Sequence, residues 1–157
     1  MPKIDLAAAV TRTGSIYPSP YAEMVAGRSY IRLADSGGLT QFGANIAILA
    51  PGAQSSLMHT HSHEDEFVMV LSGRLVLETQ VGEEEMGPGD CAAFPAGGGE
   101  FHHFINRSGE EARFLVIGTR LPDDTVTYPE EVDMVIEKRA GANRILHRDG
   151  TPWPAKG

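Results

Sequence analysis

Apolar residues along this chain come in short runs, each cut off by glycine, proline or a polar cluster within a few positions. Such spacing predicts many short strands joined by turns, not long helices, whose apolar positions would recur every three or four residues over longer spans. Eight segments qualify as strands: 28–33, 41–49, 56–61, 66–71, 74–79, 91–94, 101–105 and 113–118. Turn signals separate them, among them Ser36-Gly37-Gly38, Pro51-Gly52, Ser72-Gly73, Gly87-Pro88-Gly89 and Ala96-Gly97-Gly98-Gly99. An all-β fold follows, an antiparallel sandwich or jelly-roll barrel with its core over about residues 28–118. Glu83-Glu84-Glu85 reads as a solvated turn.

Three of these runs do not alternate. Phe67-Val68-Met69-Val70-Leu71, Phe114-Leu115-Val116-Ile117 and Ile46-Ala47-Ile48-Leu49 are apolar on both parities. A strand with one wet face should alternate, so both faces of these strands are expected to be covered. One face fills the barrel. The other calls for the terminal segments or a second subunit, and a homodimer is the expectation. The ends differ from the middle. Tyr17-Pro18-Ser19-Pro20-Tyr21 is a stiff extended stretch expected to pack on the barrel, and 133–139 is expected to form one or two helical turns. The tail from His147 to Pro154 reads as a turn-rich arm carrying the only tryptophan. With no repeat or linker in sight, the 157 residues are read as a single domain, 1–157.

Charge narrows the partners. A net charge of −8 argues against nucleic acid and anionic membranes, which both reward lysine and arginine. Leu6 to Val10 is too short for a signal-peptide core, and no run approaches a membrane span, so a cytoplasmic protein is expected. The single cysteine, Cys91, lies in the apolar run Cys91-Ala92-Ala93-Phe94 and is read as a buried small hydrophobe rather than a nucleophile.

Chemistry concentrates in two histidine clusters. In His59-Thr60-His61 the strand period puts both imidazoles on one face, half of a transition-metal site. Glu66 opens the next strand with Val68 and Val70 as its parity mates. A carboxylate on an apolar face is costly unless compensated, and a cation is the simplest compensation. The second cluster is His102-His103; adjacent residues face opposite ways, so only one of them points into a barrel, and periodicity does not say which.

The clusters sit inside a longer pattern that closely resembles the two motifs of the cupin superfamily, small jelly-roll barrels also called double-stranded β-helices. The first is Gly52, His59-Thr60-His61, then Glu66 after four residues and Gly73 after six more. The second is Gly89, Pro95-Ala96-Gly97, His102 and Asn106. Two spacings depart from the family: six residues rather than five lie between Gly52 and His59, and four rather than two between Gly97 and His102. Both fall in turns outside the ligand spacings. The register to Asn106 selects His102 over His103. The resemblance thus implies a divalent metal held by His59, His61, Glu66 and His102.

Three imidazoles and one carboxylate suit Fe, Mn, Ni, Co or Zn and do not choose among them. A six-coordinate ion would keep two open positions, where it can polarise a carbonyl or bind a bidentate molecule. The resemblance allows a metal-dependent enzyme acting on a small polar molecule: a sugar or sugar-phosphate isomerase, a dioxygenase or a lyase. The alternative is a non-catalytic ligand-binding or sensory module. For an isomerase the available proton-transfer groups are Tyr30, His63, Glu64 and His103, and for a phosphate the flanking cations are Arg74, Arg107 and Arg113. Phe94, Phe104 and Met69 are candidates for an apolar wall beside the metal.

Overall fold

The computed structural model describes residues 3–155. Thirteen strands and two single-turn helices follow in the order β1 (Thr11–Thr13), α1 (Tyr21–Met24), β2 (Arg28–Arg32), α2 (Leu33–Ser36), β3 (Phe42–Leu49), β4 (Thr60–His61), β5 (Glu66–Ser72), β6 (Leu75–Thr79), β7 (Gly82–Met86), β8 (Cys91–Phe94), β9 (His102–Ile105), β10 (Ala112–Thr119), β11 (Asp124–Thr127), β12 (Val135–Arg139) and β13 (Ala142–Leu146). One sheet runs β1-β2-β3-β10-β5-β8. Facing it are the sheets β13-β12-β11-β4 and β7-β6-β9, which the bridges His59↔His102 and Gln54↔Ile105 stitch into a second layer. All strand pairs are antiparallel, the arrangement of a jelly roll.

The core lies between the layers. Ala47, Leu49, Val68, Val70 and Phe114 of the six-stranded sheet pack against Leu75, Met86 and Phe104 of the other. Parity explains the choice: Val68 and Val70 are at most 1% exposed, whereas their neighbours Phe67 and Leu71 on the opposite face are 37% and 42% exposed. A second cluster joins Tyr17 and Val25 to Leu57, Tyr128, Met134 and Ile136, so the N-terminal segment packs beside β11 and β12. It does not cover the outer face of β3, β10 and β5.

Two motif residues turn out to be structural. Gly73, at φ 75°, turns β5 into β6 where a Cβ would lie 2.7 Å from Ala112 Cα and 2.7 Å from Glu111 O, both backbone. Asn106 is fully buried; its amide donates to Leu49 O at 2.9 Å and Glu110 O at 2.7 Å, and its oxygen accepts from Ser108. That fastens the β9–β10 turn to β3.

Several expectations need correction. Residues 133–139 are not helical: β-branched Val135 and Ile136 enter β12, paired on both sides by β11 and β13. Glu83–Glu85 lie in β7, an edge strand that keeps them exposed while Leu75 and Met86 anchor the hairpin. Cys91 is exposed, because it opens edge strand β8 opposite Met69 on the outer face. Strand pairing also continues past residue 118 into β11–β13, where β11 supplies the neighbour of β4. Among the described residues no helix is long and apolar enough to cross a membrane.

Candidate metal centre

His59 precedes β4, His61 lies in it, Glu66 opens β5 and His102 opens β9. His102 is far along the chain from the other three, but the jelly roll returns it to their side. His59 and His102 face each other across an antiparallel bridge, with N–H···O bonds of 3.1 and 3.0 Å in both directions. Their rings are 4.8 Å apart between centroids, and His59 and His61 are 5.1 Å apart. One ligand atom each from His59, His61 and Glu66 lies within 4.8 Å of the others. His102 Nε2 is 3.2 Å from Glu66 Oε1. Ligands about 2.1 Å from one ion sit roughly 3–4 Å from each other, so small side-chain rotations close this set.

Hydrogen bonds decide which nitrogens are available. Leu57 O can only accept, and it lies 2.9 Å from His59 Nδ1, which therefore carries the proton and leaves Nε2 bare. Asp124 Oδ2 does the same to His61 Nδ1 at 2.6 Å. At His102, Nδ1 faces Glu100 O at 3.3 Å and Nε2 faces Glu66 Oε1 at 3.2 Å. Imidazoles held this way by their outer nitrogen are oriented as metal ligands would need to be. Phe94 stacks on His102 at 3.4 Å with 6° between planes, fixing that ring.

The electrostatics agree. Burial pushes the His59 imidazole down to about 3, so it is neutral and its lone pair is free at neutral pH. For Glu66, burial alone would raise the carboxyl, but the His102 hydrogen bond and the three imidazoles outweigh it and hold it below the usual range. Asp124 is treated alike: burial raises it, and His61, the His63 backbone N–H and the Ser62 hydroxyl together bring it below its ordinary value. A neutral His59 imidazole and an ionised Glu66 carboxylate are the protonation states that a divalent cation takes.

The four side chains line a cavity of about 400 Å³. Of the proton-transfer groups expected from the sequence, Tyr30 and Glu64 line it; His63 is exposed and His103 points the other way, to Ser56 O at 3.0 Å and Glu78 at 2.8 Å. Burial pushes the Tyr30 phenol up to about 12, so it stays a donor, here to Ser55 O at 2.9 Å. Glu64 accepts from Lys138 and from Leu121 N. Arg74, Arg107 and Arg113 lie outside, each paired with a surface glutamate. The cations in the cavity are Arg28 and Lys138 instead. Phe94 and Phe104 do flank the histidines, while Met69 sits on the outer face opposite Cys91. Sequence reasoning missed Asp124, Arg28 and Lys138; an aspartate 63 positions from the histidine it orients carries no local signal.

The Cupin domain profile matches residues 45–118. A crystal structure from Silicibacter pomeroyi, described as a sugar phosphate isomerase from a cupin superfamily, superposes with a TM-score of 0.92 at 49% identity over 98% of each chain. A putative sugar phosphate isomerase from Acidithiobacillus ferrooxidans gives 0.72 at 29% identity, covering 82% of this chain and 81% of its own. The polyketide cyclase RemF of Streptomyces resistomycificus gives 0.59 at 26%, over 76% and 79%. No curated protein matches.

Proposed function

The chain belongs to the cupin superfamily, and on that premise we propose that it is a metal-dependent isomerase of small phosphorylated sugars. The observation that carries the reading is the convergence of three imidazoles and the Glu66 carboxylate in one cavity that also holds cations and a protonated phenol. The likeness to the Silicibacter pomeroyi protein supports it. His59, His61, Glu66 and His102 would hold a divalent transition metal, which supplies polarisation of a substrate carbonyl. Tyr30, whose single O–H is given to Ser55 O, accepts a hydrogen bond from a substrate hydroxyl. Glu64, a cavity carboxylate outside the ligand set, takes the proton from the hydroxyl-bearing carbon beside the carbonyl and returns it to the carbonyl carbon, while the proton of that hydroxyl passes to the former carbonyl oxygen.

The test is proton NMR in D₂O with metal-loaded protein and a panel of aldose and ketose phosphates. Solvent deuterium entering beside the carbonyl is expected, lost in His59→Ala and Glu66→Gln together with the metal, and lost in Glu64→Gln with the metal retained. Full metal occupancy without deuterium uptake from any of them refutes the isomerase. Tight ligand binding without turnover would then favour the binding module.

A homodimer is proposed on separate grounds. Ile46, Phe67, Met69, Leu115 and Ile117 share the outer face of β3, β10 and β5, and the N-terminal segment packs elsewhere. A second copy of the same apolar face covers it best. Light scattering should give twice the chain mass for the natural protein and a monomer for Phe67→Asp; a monomeric natural protein refutes the pairing.

A further inference from the structure

Beside the metal cavity lies a smaller annex of about 220 Å³, lined by Arg12, Arg28 and Arg32 with Tyr30, Asn45 and Ser15 among its other walls. It shares Arg28, Tyr30 and Asn45 with the metal cavity, so the two adjoin. In a chain of net charge −8, its lining contains three guanidinium groups and no carboxylate. The sheet builds this deliberately asymmetric patch. Arg12 pairs with Tyr30 across β1–β2, Arg32 pairs with Asn45 across β2–β3, and Arg28, Tyr30 and Arg32 share one parity.

That parity is the inner one. Asn45 pairs with Val116 and Val116 with Val68, the buried face on which Glu66 also lies. The arginines and the metal ligand Glu66 therefore stand on the same concave surface. Strands β2 and β5 are three places apart, about 14 Å along the sheet, and the inward arginine side chains shorten that gap.

Arg28 is the centre of the annex. Its guanidinium donates to Ser55 O and, at 3.2 Å, to Ser15 Oγ, and it lies over the Tyr17 and Tyr30 rings at 5.4 and 5.6 Å. Those contacts hold it in place without neutralising it. Among the described residues it makes no ion pair, and its Nε is buried with no hydrogen-bond partner. A desolvated cation with an unused donor is costly unless an anion completes it. Arg32 is partly neutralised by Asp35, which it shares with Arg120; among the described residues Arg12 forms no ion pair. The annex thus offers about two uncompensated positive charges.

We propose that this annex is an anion subsite that takes the terminal phosphate dianion of a substrate whose other end reaches the metal ligands. The arginine forks supply planar donor pairs that match phosphate oxygens, and two net charges match a phosphomonoester better than a carboxylate. The assignment rests on the isomerase reading for the identity of the other end, but not for the binding of phosphate itself. In this arrangement Arg12, Arg28 and Arg32 select phosphorylated over unphosphorylated substrates.

The experiment is calorimetric titration of metal-loaded protein with inorganic phosphate at low ionic strength. Arg28→Gln should weaken binding at least tenfold. Arg12→Gln, at an exposed position whose side chain makes no hydrogen bond or ion pair among the described residues, should weaken it several-fold and serves if Arg28→Gln does not fold. His59→Ala should still bind phosphate. Binding that survives both arginine substitutions, or that disappears in His59→Ala while persisting in Arg12→Gln, places phosphate at the metal and overturns the proposal. Malonate binding as tightly as phosphate overturns the phosphate assignment. Arginine-dependent phosphate binding in a protein that takes up no deuterium leaves the subsite standing and removes only the isomerase.

Discussion

Replacing Asp124 by asparagine changes one atom and strikes the candidate metal centre from behind. The carboxylate is 1% exposed and accepts from three donors: His61 Nδ1 at 2.6 Å, the His63 backbone N–H at 2.9 Å and the Ser62 hydroxyl at 3.2 Å. The His61 bond uses one oxygen and the other two bonds use the second. An asparagine has a single acceptor oxygen, so one of these groups must face an NH₂ instead. If His61 loses its acceptor, its ring is free to turn and the lone pair no longer points at the common centre. Loss of such an outer partner typically weakens metal binding 10–100-fold, about 1.4–2.8 kcal/mol. The metal-free protein should also lose roughly 1.5–3 kcal/mol, the worth of a buried hydrogen bond to a charged group. For a chain of this size that lowers the melting temperature by about 3–12 °C. Zinc competition against a fluorescent chelator reads the first quantity and thermal unfolding of chelator-treated protein the second. An Asp124→Asn protein that binds zinc as tightly as the natural one refutes the claim that Asp124 orients His61.

Other substitutions probe the register and the fold. His102→Ala should lower metal content measured by elemental analysis, whereas His103→Ala should leave it unchanged and lower stability, since His103 is tied to Ser56 O and Glu78 away from the cavity; the reverse pattern shows the register is wrong. Gly73→Ala should cost roughly 2–4 kcal/mol in urea unfolding, because a left-handed turn and a backbone contact of 2.7 Å both oppose a Cβ; a loss under about 0.5 kcal/mol would mean the β5–β6 hairpin relaxes freely.

Much of the architecture was legible along the chain because strands leave a period-two imprint and turns need glycine, proline or asparagine. The segments 41–49, 66–71, 91–94 and 113–118 match β3, β5, β8 and β10 within two residues at either end. His59, His61 and Glu66 were legible for the same local reason, since parity places two rings on one face and strands a carboxylate among valines. The strand from Val135 was not. Its two apolar residues fit a helical turn equally well, and only pairing with β11 and β13 decided the matter.

What the amino-acid order determined alone is thus the class of fold and the two histidine clusters; the preference for His102 over His103 is implied by the resemblance to the second cupin motif. The tertiary structure decided everything that depends on distant partners. It brought Asp124 to His61 across 63 positions, turned Arg28, not Arg74, Arg107 or Arg113, into the cavity, and sent His103 to Glu78. Spacing along a strand is a local quantity, legible from a few residues. Which side chain completes another's hydrogen bonds or charge depends on how sheets register across the barrel, and no short stretch of sequence carries that.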